Sequence, residues 1–285
     1  MRARAPASSA NLGPGFDVLA LALALYVEVD VAEAAELSLR CEGEGTQFPC
    51  DESHLAARVA RAVCGHDRFD IRIRSEIPVG RGLGSSAALA VAVAAAAGSS
   101  DPFGVAVGFE GHAENAAASV HGGLISAAVL DSGPVARRFP LDPALSFVVL
   151  VPERQLKTEQ ARGALDSVVS RADAVFNLSR MGLLLAGLAD RTVLVGQAGD
   201  DRLHQARRAQ LFPEAPELLA RLTTAGALVA CWSGAGSSLL GICDGATAAG
   251  RVRDIGEAAL EELGVPGKAM VLSPDFEGLV LTEPV

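Results

Sequence analysis

Three glycine-rich passages hold the residues best placed to do chemistry in this chain. The first, GRGLGSSAALAVA (80–92), follows EIPV and runs into an alanine-rich stretch. Its glycines let the backbone adopt positive φ and approach a ligand closely. Ser85 or Ser86 can cap the helix that begins there, and N–H groups at a helix start attract an anion. A serine hydroxyl at the same point can ligate Mg²⁺ between phosphates, while a capped turn without a ligand is the competing reading. A Walker-A site is excluded, because neither Lys157 nor Lys268, the two lysines against 22 arginines, follows a glycine-rich loop.

The second passage is PASSANLGPGFD (6–17), where Asn11 and Asp17 flank a Gly-Pro-Gly turn. It is too poor in apolar residues to make a good strand. Ser8, Ser9, Asn11 and Asp17 face something other than a core, or satisfy their own loop. The third, CWSGAGSSLLGICD (231–244), sets small residues between two apolar runs and reads equally as a tight connection.

The elements that must hold these loops are mixed. Alternating or β-branched runs predict strands near 25–31, 37–42, 69–75, 123–130 and 146–151, then at 227–232, 238–243, 268–273 and 278–282. Helical patterns fall near 54–64, 86–97, 159–189, 215–224 and 246–263. The order lacks the steady βαβ rhythm of a doubly wound sheet, so the class is α+β. GSSDPFG (98–104) reads as a loop, and the turn-rich DSGPVARRFPLDPALS (131–146) as a seam between two lobes.

A chain of 285 residues, 50% hydrophobic and 20% charged, can bury a substantial core. Its formal charge of −10 argues against nucleic acid and anionic membrane surfaces as partners. No stretch combines the length and unbroken apolarity of a membrane span, and the N-terminus has no secretory apolar region, so cytoplasm is expected. Cys41, Cys50, Cys64, Cys231 and Cys243 are odd in number and contain no C-x-x-C pair, which fits buried or incidental thiols.

Together the three passages resemble the GHMP small-molecule kinases, and within them the homoserine kinases. The family's P-x-x-x-G-L-G-S-S-A is matched position by position by Pro78 through Ala87. PASSANLGPGFDVLALAL is similar to the homoserine kinase version of the first motif. SGAGSS (233–238) is similar to S-G-A-G-P-[ST], with Ser237 where proline is usual. The resemblance implies a two-lobed α+β fold: residues 1–140 bearing the phosphate loop, and a ferredoxin-like lobe of residues 141–285 bearing the substrate clamp. It implies transfer of the γ-phosphoryl of ATP to L-homoserine, giving O-phospho-L-homoserine on the way to threonine.

By the same resemblance, Pro78, Gly80, Arg81, Gly82, Leu83, Gly84, Ser85 and Ser86 wrap the ATP phosphates, and Ser86 with Glu110 holds Mg²⁺. The glutamate that the family often places several residues earlier is absent. His54 stands where the family usually has Asn-Leu at the adenine site. Asn11 and Asp17 meet the amino group of homoserine, Arg162 and Arg208 its carboxylate, and His112, Thr158 and Gly234 complete the pocket. Asn115, Arg162 and Ser86 are the catalytic set. Asn115 occupies a place where other superfamily members carry aspartate, and asparagine cannot accept a proton, so transfer without a dedicated carboxylate base is expected. Glu114 replaces the usual aspartate beside it. Arg207 is expected to face solvent, His121 to be structural and His204 to support Arg208. Two alternatives stay open: a kinase of this superfamily with another small alcohol acceptor, and a non-catalytic nucleotide-binding homologue. The oligomeric state is left open, with a homodimer carried as an expectation.

Overall fold

The computed structural model describes residues 1–282. Its first sheet is built from β1 (Arg2–Ala10), β2 (Leu19–Glu33), β3 (Ser38–Gly43), β4 (Phe69–Ser75), β5 (Leu124–Leu130) and β6 (Gly133–Phe139). The fifteen-residue β2 is its spine: it pairs with β1 along most of its length, with β4 at one end and with β5 at the other. All pairings here are antiparallel except β3 with β4.

Helices α1 (Leu55–Cys64), α2 (Ser85–Ala96), α3 (Pro102–Glu110) and α4 (Glu114–His121) belong to this lobe. α2 packs against β1, β2, α1, α3 and α4 at once, and nine of its twelve residues are buried. Only side chains as small as alanine and valine let a helix be surrounded at such close range, which is why the stretch reads as alanine-rich.

The second lobe follows from β7 (Leu145–Pro152), then α5 (Thr158–Gly163), α6 (Arg171–Ala189), α7 (Gln205–Arg208) and α8 (Ala215–Thr224). β8 (Val229–Trp232), β9 (Leu239–Asp244), α9 (Gly245–Glu262) and β10 (Gly267–Leu272) complete it. Its sheet runs β10-β7-β9-β8, all antiparallel, with α8 and α9 packed against it, the ferredoxin-like arrangement. β7 alternates between two cores. Phe147, Val149 and Val151 join the larger one, while Val148 and Leu150 join that of Trp232, Leu218 and Leu260.

α4 and α7 form where the sequence patterns predict no element, and the expected elements are found with four revisions. β1 forms despite its weak strand composition, because Ala3, Ala5, Ala7, Ser8 and Ser9 lie fully buried beneath α2 and α4, where small residues fit. Packing overrides propensity there. The 98–104 loop ends inside α3, which Asp101 caps ahead of Pro102. Half of the 131–146 seam is β6, hairpinned onto β5. The helix expected over 159–189 breaks into α5 and α6, and α6 restarts where Ser170 accepts the Asp173 N–H.

The described chain ends with β11 (Val280–Thr282), which pairs with β1 and so returns to the first sheet. A cut at 140/141 therefore separates β11 from the sheet it completes. α6 has the length and the mean hydropathy (1.2) of a helix able to cross a membrane, but Asp173 and Arg180 interrupt its apolar run, as the absence of an unbroken apolar stretch in the sequence implies. Here it packs in the fold, burying Asn177, Leu184 and Leu188.

Candidate active site

The glycine-rich loop is gripped by its carbonyls. Leu156 N–H donates to Gly80 O (2.9 Å), Ser238 N–H to Arg81 O (3.1 Å) and Ser8 N–H to Leu83 O (3.0 Å). Ser233 Oγ donates to Gly82 O at 2.7 Å. In a trans peptide the next N–H points opposite to the carbonyl. The N–H groups of Arg81, Gly82, Leu83 and Gly84 thus turn away from these partners, and among the described residues none has a backbone acceptor. Gly80, Gly82 and Gly84 are all left-handed, at φ 71°, 74° and 66°. A Cβ on Gly82 would overlap the Ser233 carbonyl.

The cap on α2 that Ser85 or Ser86 could supply is not formed. Instead Gly84 is the N-cap without a side-chain bond, and the serines are the first helical residues. The helix start therefore keeps its N–H groups for an anion.

Ser86 is free of capping because its hydroxyl donates to Glu110 Oε2 at 3.0 Å. Burial raises the Glu110 pKa, opposed by the Ser86 hydrogen bond and by His112. His112 stands between two acids, Nε2 3.9 Å from Glu110 and Nδ1 3.1 Å from Glu114, and Glu114 chiefly raises its pKa. Asn115 is fixed on both sides: Oδ1 accepts from Ser8 Oγ (2.9 Å) and Nδ2 donates to Glu114 Oε1 (3.1 Å). Glu114 is itself buried, and its Oε2 has no partner.

At the other end of the cleft, the residues expected to be an ammonium acceptor and a carboxylate donor meet each other. Arg162 grips Asp17 with both nitrogens, at 2.9 and 2.8 Å, a bidentate pair between residues 145 apart. Asn11 Nδ2 donates to Gly234 O (2.8 Å), and Arg208 Nη1 donates to the same carbonyl (2.8 Å). Arg208 is 2% exposed, its Nε has no partner, and burial lowers its pKa to about 10, so it stays charged.

His204 Nδ1 lies 3.0 Å from Arg208 Nη1, and its Nε2 lies 2.8 Å from Gly13 O. An arginine only donates and a carbonyl only accepts, so the ring is the neutral Nε2–H tautomer. Burial depresses its pKa to about 4, in keeping with that.

Asn11, Asp17, Gly80, Gly82, Leu83, Gly84, Ser85, Ser86, Glu110, His112, Asn115, Thr158, Arg162, Arg208 and Gly234 all line one cleft of about 870 Å³. His54 does not reach it. It lines an adjoining apolar cavity of about 830 Å³ that shares Val79, Ser85 and Ser86 with the cleft. There His54 caps α1, its Nδ1 accepting from Ala56 N–H, so only the ring face and Nε2 remain.

Pro78 and the Arg81 side chain lie outside both cavities, beside Glu44 and Glu153. Arg81 donates to Glu153 O and sits 3.8 Å from Glu44. Ser237, in place of the family's proline, donates its hydroxyl to Arg154 O.

Ser8 and Glu114, named in the motifs but given no role there, and Phe16, which the sequence does not single out, also belong to the site. The ring of Phe16 lies under Arg208 (5.4 Å) and Arg162 (5.9 Å) and stacks on His204 at 5.2 Å. The motifs bring Ser8 and Glu114 into view but not their bonds to Asn115. Nothing brings Phe16 into view, since an aromatic beside a turn carries no signal of which cations fold over it.

A glycine loop feeding a helix, an oxygen pair at its mouth and a charged clamp opposite define a small-molecule kinase of the GHMP class. The GHMP kinases N terminal domain family matches residues 54–123, and the GHMP kinases C terminal family residues 184–262. The homoserine kinase of Moorella thermoacetica is 37% identical over 294 residues, covering 98% of both chains. That of Streptomyces avermitilis is 41% identical over 277 residues, covering 90% of each. The fold matches a crystal structure of homoserine kinase from Cytophaga hutchinsonii with a TM-score of 0.87 at 24% identity, over 98% of this chain and 96% of that one. The chain belongs to the homoserine kinase family of the GHMP kinases.

Proposed function

We propose that this chain performs its family's reaction, moving the γ-phosphoryl of ATP to the side-chain hydroxyl of L-homoserine. The observation that carries the acceptor is the Asp17–Arg162 pair, with Arg208 beside it over the same Phe16 ring. A zwitterion can replace that pair on equal terms, its ammonium on Asp17 and its carboxylate on Arg162, with the unpartnered Arg208 Nε as a further donor. A neutral alcohol has no charge with which to displace the pair, and an acceptor with only a carboxylate would take Arg162 and leave Asp17 without an opposite charge.

In this reading the outward N–H groups of the loop and the start of α2 hold the phosphates. Ser86 and Glu110 are hard oxygen donors that fit Mg²⁺, which when bound neutralises phosphate charge. Asn115, oriented by Ser8 and Glu114, directs the acceptor hydroxyl. Asn115 offers the acceptor an amide with no proton-accepting group, which supports transfer by positioning and charge stabilisation without a dedicated carboxylate base. The adjoining apolar cavity takes the nucleotide base, against the His54 ring.

Assignment of residues 1–140 and 141–285 to two domains, with 280–282 joining the first, is part of the proposal. So are a cytoplasmic location, a place in threonine synthesis, a homodimer, and the absence of nucleic-acid and membrane partners. The test is an ADP-release assay on a panel of alcohols: homoserine should be used far better than mevalonate or a sugar. ATP binding with no phosphorylated product would favour a non-catalytic homologue.

A further inference from the structure

The base cavity carries a pair of thiols for which the kinase chemistry has no use. Cys41, in β3, lines the cavity, and Cys50 stands exposed near the end of the 44–53 loop that leaves this strand. Their sulfurs are 3.8 Å apart, Cys50 donating to Cys41. Cys41 Sγ is also 3.9 Å from His54 Nε2. Because His54 Nδ1 accepts from the α1 backbone, the neutral ring carries its proton on Nε2, toward Cys41. Among the described residues these side chains do not make a metal-holding group, and the two thiols stand as a hydrogen-bonded pair. The remaining cysteines lie elsewhere: Cys64 donates to Ala97 O, and Cys231 and Cys243 are buried in β8 and β9.

We propose that Cys41 and Cys50 form an oxidation-sensitive pair whose disulfide reshapes the nucleotide-base cavity and weakens ATP binding. The effect on ATP rests on reading that cavity as the base site.

The two sulfurs have different parts. Cys50 is open to solvent and meets the oxidant, a peroxide. Its thiolate attacks the O–O bond; an S–O bond forms and hydroxide leaves to become water, giving a sulfenic acid. Cys41 then attacks that sulfur, the S–S bond forms, the S–O bond breaks, and the departing hydroxide takes the Cys41 proton. Two thiols and one peroxide give one disulfide and two waters. Burial pushes the Cys41 pKa up to about 12, which shields it from direct oxidation. The His54 Nε2–H favours its thiolate at the moment of attack.

Geometry makes the bond consequential. A disulfide of about 2.0 Å requires the sulfurs, now 3.8 Å apart, to close by roughly 1.8 Å. Cys41 is held in register against Ile73 of β4, so closure falls on the Cys50 side, through rotation of its side chain and movement of the exposed loop. Phe48 and Pro49, immediately before Cys50, form part of the cavity wall and travel with it.

The experiment treats the full chain with hydrogen peroxide, alkylates remaining thiols, and reads mass together with ATP and homoserine KM. Expected are a loss of about 2 Da in a Cys41–Cys50 linked peptide and reversal by dithiothreitol. The ATP KM should rise roughly tenfold, the scale of a spoiled contact in an apolar pocket, with homoserine KM unchanged. Cys50→Ser should keep basal activity and lose the response. Alkylation of both thiols after peroxide overturns the proposal. So does a formed disulfide with unchanged ATP KM, provided Leu89→Phe, which fills the same cavity, raises it. If Leu89→Phe also leaves ATP KM unchanged, the base-site reading fails and the proposed effect on ATP falls with it.

Discussion

The two ends of the cleft are built on different principles. At the end proposed to hold the phosphates the built features are backbone: four carbonyls are tied down from outside, and the N–H groups they orient are the proposed donors. At the amino-acid end, recognition belongs to charged side chains that pair with each other and lie over one aromatic ring. A backbone site depends on shape and tolerates many side chains, whereas a side-chain site depends on identity. The first suits a donor common to the whole superfamily, and the second suits an acceptor that differs among its members.

The sharpest break in this contrast is Gly82→Ala. Its Cβ would meet the Ser233 carbonyl at a left-handed position, so we expect turnover to fall roughly 100-fold or more, as misplaced reacting groups do. Near-normal kcat would show that the loop is less rigid than described. Next, Arg208→Ala should raise homoserine KM about 30-fold or more while ATP KM stays put, since truncating one side of a buried charge contact costs about 2 kcal/mol or more. Equal effects on both substrates would dissolve the division between the two ends.

Asn115→Ala lies where the ends meet. It removes the amide proposed to orient the acceptor hydroxyl and no proton acceptor, so kcat should drop about tenfold without vanishing; complete loss with intact binding would overturn that positioning role. The smallest effect is on stability. His204 takes a proton in the unfolded chain near its ordinary pKa of about 6.5 but refuses it in the fold down to about 4. Its stabilisation is therefore whole above that range and is lost as pH falls from about 6.5 toward 4. Thermal midpoints of wild type and His204→Asn across this range should converge at low pH; parallel curves would count against a neutral His204.

The backbone end was legible in the sequence because its signal is local: alternating glycines before an alanine-rich run imply both the left-handed turns and the helix start. The individual charged residues of the clamp were legible by motif, but their pairing was not. Asp17 and Arg162 are 145 residues apart, and no short-range pattern reports that one holds the other. β1 was missed for a related reason, since its alanines and serines signal how close α2 and α4 come and not strand propensity. The Cys41–Cys50 approach depends on a loop folding back on its own strand, and spacing alone left those thiols unremarkable.

The return of β11 to β1 bears on how this molecule is assembled. The ferredoxin-like lobe is in effect an insertion between β6 and the strand that closes the first sheet. During synthesis the β1 edge waits, its hydrogen-bonding groups unmatched, until residue 280 has left the ribosome. An amino-terminal fragment ending at the apparent boundary would carry that edge permanently open, an invitation to pair with copies of itself.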